Sequence, residues 1–126
     1  MARSLPQFFS GTVVRGVGRG KTLGIPTANL KVLRQDQLPH GVYAAKVSGP
    51  TLNLQRAVAN IGTRPTFSEG GLSVELHILD FSAEIYGAEL EVELLSFLRG
   101  EREFSDVEDL KKQIELDIEE ARDRLN

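Results

Sequence analysis

The chain contains no cysteine and only two histidines, His40 and His77, in 126 residues. The first absence excludes a disulfide framework, a Cys-based zinc or iron–sulfur site and a thiolate nucleophile, and it suits a reducing, cytoplasmic compartment. The second leaves no material for a His-rich metal centre. No run approaches the roughly 20 continuous apolar residues of a membrane span, and the opening MARSLPQFFS lacks the apolar stretch of an export signal. Basic residues are outnumbered, 15 Lys+Arg against 18 Asp+Glu, which gives a formal net charge of −3. A mainly electrostatic grip on nucleic acid needs a clustered basic face instead. With aromatics at 6%, an oligonucleotide-binding barrel would also lack stacking platforms. Neither nucleic acid nor a membrane is expected as a partner.

What is present is the composition of an ordinary folded domain, 40% hydrophobic and 26% charged, long enough to bury a core without metal or disulfide staples. One domain over residues 1–126 is expected. Its 12 glycines are not scattered. Gly16, Gly18, Gly20 and Gly24 crowd the segment RGVGRGKTLGIPTANL, residues 15–30.

Periodicity predicts mostly strands. Residues 8–14 are β-branched or aromatic around Gly11, which reads as a strand that bends or closely approaches other backbone. Residues 15–30 read as a long structured loop, too glycine-rich for a helix, and residues 32–39 as irregular. Strands follow at 41–47, ahead of a turn at Ser48-Gly49-Pro50, and at 56–61. A turn at 68–71 precedes strict alternation over 73–79, with Val74, Leu76 and Ile78 on one face and Glu75 and His77 on the other. Tyr86-Gly87 marks the next turn. Leu90, Val92 and Leu94 then alternate with Glu89, Glu91 and Glu93 until the pattern slips at Leu95. Five or six short strands between turns point to a small barrel or sandwich. The period then changes. Ser105-Asp106-Val107-Glu108 reads as a capping box, and Val107, Leu110, Ile114, Ile118, Ala121 and Leu125 form one apolar helical stripe over 105–125.

The glycine segment nearly matches a P-loop. Gly20-Lys21-Thr22 supplies its end, but Arg15 stands where the first glycine belongs, and Gly24 and Pro26 disfavour the helix that must follow. No G-x-G-x-x-G is present either. Two readings remain: a solvated flexible loop, or a backbone cradle for phosphate in which Arg15, Arg19 and Lys21 add positive charge. Pro26 favours a preorganised loop. Thr27 and Asn29 place two neutral oxygen side chains on one side of an extended stretch, a pair that suits Mg²⁺ or hydrogen-bonding within a turn. Glu75, by strand parity alone, reads as a solvated carboxylate.

RGVGRGKTLGIPTANL, GVY, ANIGTRPTF, VELHILDF, YG and LRGEREF, in that order over almost the whole chain, resemble the riboflavin kinase (flavokinase) family. The resemblance implies a closed six-stranded antiparallel Greek-key barrel (about 8–104) with a C-terminal amphipathic helix. It implies transfer of the γ-phosphoryl group of ATP to the 5′-hydroxyl of riboflavin, giving FMN and ADP. By match to PTAN, Thr27 and Asn29 would be Mg²⁺ ligands; Gly16, Gly18, Lys21 and Tyr86 would lie near the nucleotide. Glu75 would be the catalytic carboxylate, and Arg99, Arg102 and Phe104 would contact the flavin. On their own, the two arginines read as surface charge and Phe104 as a helix staple. The segment 60–67 stays outside the catalytic list, and Arg64 is either a phosphate contact or solvent-facing. The alternative is a non-catalytic barrel that binds flavin or nucleotide, and a carrier has no reason to keep Thr27, Asn29 and Glu75 together. Many bacterial members resemble the C-terminal half of a larger protein whose N-terminal domain adenylylates FMN. Residues 1–126 show no likeness to that half, so Met1 is either a native start or the start of an excised domain, and FMN is the expected end product.

Overall fold

In the computed structural model, residues 5–14, 27–32, 38–63, 72–81 and 83–125 are described. Six strands and one long helix account for most of them: β1 Gln7–Val14, β2 Ala28–Lys31, β3 Gly41–Gly49, β4 Leu52–Thr63, β5 Leu72–Ile78, β6 Glu89–Arg99 and α1 Val107–Arg124. The strands close into an antiparallel barrel in the order β1-β2-β5-β4-β3-β6. Closure leaves no unpaired edge among them.

Alternation decides which side chains fill the barrel. Val13, Leu30, Val47, Ala57, Ala59, Ile61, Val74, Leu76, Leu90, Val92 and Leu94 point inward and are buried. The alanines of β3 and β4 matter because six strands enclose little space, so the interior must be filled by a mixture of small and large side chains. Gly11 answers the same constraint. A Cβ there would lie 2.9 Å from the Lys31 carbonyl oxygen and 3.0 Å from Val32 Cγ2, so the close approach of β1 to β2 requires glycine.

A second apolar layer lies outside the barrel. Val42, Ala44 and Val58 face outward yet are buried, because Ala121 of α1 and Leu125, which caps it, cover them. The helix therefore shields the outer wall over β3, β4 and β6. It leaves the outer wall over β2 and β5 uncovered.

Three expectations are revised. The stretch taken as loop ends in a strand, β2, whose few residues are held on one side by β1 and on the other by β5. The strand expected at 56–61 runs from Leu52 to Thr63, passing through Leu54 at φ 51. The helix cap is Asp106 rather than Ser105: Asp106 has extended backbone and its Oδ1 accepts from Glu108 N at 3.0 Å. A carboxylate satisfies that orphan donor and also opposes the positive end of the helix dipole, which a hydroxyl cannot do. The slip at Leu95 is a bulge, since Ala44 pairs with Ser96 while Ala45 pairs with Leu94. The turn expected at 68–71 lies outside the described residues.

Candidate active site on the outer wall

The inward side chains of β5 force Glu75 outward, and its cross-strand neighbours follow from register. Asn29 of β2 stands opposite Glu75 on one side, and Asn60 of β4 on the other. Residues paired in this way share a face, with Cβ atoms about 5 Å apart. The row continues in both directions: Val14 is opposite Asn29, Val42 opposite Asn60, and Arg99 opposite Val42. Glu75 is thus a half-buried carboxylate between two carboxamides. Thr27, just before β2, adds its hydroxyl, with Oγ1 3.5 Å from Glu75 Oε2. That is long for an O–H···O bond, so the pair is better described as two oxygen groups converging than as a committed bond.

The donor set is hydroxyl, carboxamide and carboxylate oxygen. Among the described residues no three His, Asp or Glu side chains cluster to hold a metal by themselves. Hard oxygen donors in small number fit Mg²⁺, which keeps several waters and takes further ligands from phosphate. They do not fit a fully protein-caged ion.

On the β1 side of this cluster, Val14 leads into the glycine segment and Thr27 leads out of it. Gly16, Gly18 and Lys21 lie outside the described residues. Tyr86 sits in the turn at Gly87, which has φ 83. That turn is tied to β1, since Gly87 N donates to Val13 O and Val13 N to Ala88 O, both at 2.9 Å. Tyr86, 44% exposed, is therefore held beside the end of β1, one residue from the partner of Asn29.

The remaining expected residues form a second cluster at the end of β6. Arg99 and Arg102 both approach the Phe104 ring, at 6.0 and 4.9 Å from its centroid. Arg99 is also committed elsewhere: its Nε and Nη2 donate to the two oxygens of Asp117, each at 2.9 Å, and Nη1 donates to Gly100 O. Asp117 is buried in α1 and accepts as well from Gln113 Nε2, while Gln113 Oε1 accepts from Arg102 Nη1. The segment carrying Arg99, Arg102 and Phe104 is thereby fastened to the helix. It also touches β4, because a Cβ on Gly62 would overlap the Glu101 carboxylate. Thr27, Asn29, Glu75 and the Tyr86 turn lie together; the Arg99 cluster is separated from them in the row by Asn60 and Val42.

Residue-by-residue reasoning missed Asp117 and Asn60. Asp117 falls on the apolar stripe, three residues after Ile114 and four before Ala121, and an acid there signals a buried partner. Asn60 alternates with the inward Ala59 and Ile61, which places it on the face of Glu75.

A small closed barrel thus carries a hydroxyl, a carboxamide and a carboxylate together on its outer wall, between the end of β1 and the strands that the helix covers. The chain belongs to the riboflavin kinase family: the Flavokinase family model, described as riboflavin kinase, matches residues 4–125. It is 41% identical over 129 residues to the human protein named riboflavin kinase, covering 98% of this chain and 83% of the relative. It is 41% identical over 121 residues to the bifunctional riboflavin kinase/FMN adenylyltransferase of Haemophilus influenzae, covering 96% of this chain but 39% of that protein. The chain thus spans about two fifths of the bifunctional relatives it matches. The solved riboflavin kinase of Trypanosoma brucei superposes with a TM-score of 0.68 at 26% identity, over 94% of this chain and 78% of the other. No helix among the described residues is long and apolar enough to cross a membrane.

Proposed function

We propose that this chain phosphorylates riboflavin at its 5′-hydroxyl with ATP and Mg²⁺, producing FMN and ADP in the cytoplasm. Family membership supplies the reaction class. The observation that carries the site is the convergence of Thr27 and Asn29 with Glu75, which follows Thr27 by 48 residues in sequence, on one patch of the outer barrel wall.

Phosphoryl transfer asks a protein mainly to position two substrates and to oppose charge on the migrating group. Glu75 accepts the proton of the riboflavin 5′-hydroxyl as its oxygen bonds to the γ-phosphorus; the bond from that phosphorus to the bridging oxygen breaks, and ADP leaves with the electron pair. Reach matters more here than a shifted pKa, and an outward carboxylate on a paired strand supplies it. Thr27 and Asn29 would hold Mg²⁺, which when bound neutralises phosphate oxygens and orients the transferred group. Gly16, Gly18, Lys21 and Tyr86 are assigned to the nucleotide. Arg102 and Phe104 are assigned to the flavin. Arg99, with both carboxylate-facing nitrogens engaged by Asp117, serves that segment by holding it on the helix. A non-catalytic flavin carrier would have no use for a hydroxyl, a carboxamide and a carboxylate at one point. The names of the bifunctional relatives support a covalently linked FMN adenylyltransferase as a partner in a longer polypeptide, but these 126 residues by themselves are expected to stop at FMN.

The purified chain, given riboflavin, ATP and Mg²⁺, is expected to yield FMN on chromatography. Glu75→Gln should still bind riboflavin but turn over about 100-fold or more slowly, the usual contribution of a general base. Folded wild-type protein that makes no FMN would refute the assignment, and near-normal turnover in the variant would remove Glu75 from the mechanism.

A further inference from the structure

Asn60 is the one member of the Asn29–Glu75–Asn60 row with no assigned role. It is exposed on the outer wall, and its side chain makes no hydrogen bond with any described residue. Its position is constrained from both sides. Thr27 and Asn29, the pair assigned to the phosphate-bound metal, lie on the β2 side of Glu75, so the anionic donor approaches from there. Attacking and leaving oxygens lie roughly in line through the transferred phosphorus. The acceptor must then approach from the opposite side of Glu75, which is the side of β4. On that side the first outward side chain is Asn60; beyond it Val42 is covered by α1, and then comes Arg99. A second contact points the same way. The Glu101 carboxylate, from the segment that carries Arg102 and Phe104, lies against Gly62, two residues along β4 from Asn60 on the same face. The stretch between the ring-binding cluster and Glu75 is therefore floored by β4, with Asn60 as its exposed polar side chain.

Riboflavin joins its ring to its reacting hydroxyl through a chain of three secondary alcohols. With the ring at Phe104 and the 5′-oxygen at Glu75, that chain must cross Asn60. We propose that the Asn60 carboxamide hydrogen-bonds a secondary hydroxyl of the acceptor's polyol chain, and so selects a polyhydroxylated flavin over one with a plain alkyl tether. This rests on the kinase reading given above. A carboxamide suits the task, since it both donates and accepts and adds no charge beside Glu75.

The test compares two acceptors: riboflavin and a flavin whose ribityl group is replaced by 5-hydroxypentyl, which keeps the terminal hydroxyl alone. Asn60→Ala should raise the KM for riboflavin about three- to tenfold, the value of one neutral hydrogen bond, and leave the KM for ATP unchanged. With the hydroxypentyl flavin the variant and the wild type should behave alike. Matching melting curves for the two proteins check that the exposed substitution leaves the fold intact, and Asn60→Ser, which keeps a donor and an acceptor, should recover part of the loss on riboflavin only. An equal loss on both flavins, as a fall in kcat, would mean that Asn60 acts on Glu75 instead and would overturn the proposal, as would no loss on either. Wild-type protein that phosphorylates neither flavin would overturn the kinase reading itself, and this inference with it.

Discussion

Asp117 stands where the helix stripe calls for an apolar side chain, and its burial is tolerable only because its charge is met. Arg99 offers two parallel N–H groups at 2.9 Å and Gln113 a third donor at 3.0 Å. A buried ion pair adds little compared with a well-packed apolar pair, but removing one partner leaves an uncompensated charge. Here Arg99 keeps 20% of its side chain exposed, which lets water relieve part of that penalty. Asp117→Ala is expected to cost about 3 kcal/mol, at the low end for a broken buried pair, and to lower the melting temperature by about 10 °C. Asp117→Asn keeps the shape and one acceptor and should lose less. A thermal melt of the three proteins decides it, and an Asp117→Ala midpoint within a degree or two of wild type would show that the pair is dispensable. The same contrast separates what was readable at single residues from what was not. Glu75 was legible as outward from the alternation of Val74, Leu76 and Ile78, but its importance was not, because parity cannot distinguish a solvated carboxylate from one flanked by two carboxamides. That distinction depends on register with β2 and β4, which only the closed barrel fixes.

At the scale of elements, strands with strong period-two patterning were readable: β1, β3, β5 and β6 all begin within a residue or so of where alternation places them. The short β2 was not, because ANLK alternates barely once and follows glycine and proline; its conformation is imposed by β1 and β5 on either side. The first residues of β4 were lost for a related reason, since Leu54 at φ 51 and the polar Asn53 and Gln55 look like turn. Helix α1 was legible in its period and misread by one residue at its start. Ser105 and Asp106 are both capping residues by type, and the choice depends on whose side chain reaches an orphan amide; Asp106 does. Asp106→Ala should therefore cost about 1 kcal/mol, the usual value of a cap, and Ser105→Ala no more than a few tenths. Denaturant midpoints of the two variants test this, and the reverse order would return the cap to Ser105.

At the scale of the molecule, α1 is held on the barrel by its apolar face, by the Arg99–Asp117 pair, by hydrogen bonds from Arg124 to Ser96 and Phe97, and by an exposed charge clasp. Near its C-terminal end, Arg122 donates two hydrogen bonds at 3.0 Å to Asp80, in the bend after β5, and Arg56 of β4 stands 3.6 Å from the same carboxylate. The Arg122 hydrogen bonds, helped by the charges of Arg122 and Arg56, hold the Asp80 carboxyl below the usual carboxylate range. A depressed folded-state pKa contributes stability that is present above the unfolded value and is lost as pH falls through the folded one. Asp80 also has φ 57, a left-handed conformation that asparagine adopts with little strain, so Asp80→Asn removes the charge while sparing the backbone. The clasp is solvent-exposed and its contribution is small and sensitive to salt. Wild type is expected to melt slightly above Asp80→Asn at neutral pH and low ionic strength, with the gap constant down to about pH 5 and closing as the pH drops below about 4. Added salt should narrow it at any pH. A gap that survives unchanged at the acid end would mean that Asp80 acts through its shape in the turn rather than through its charge.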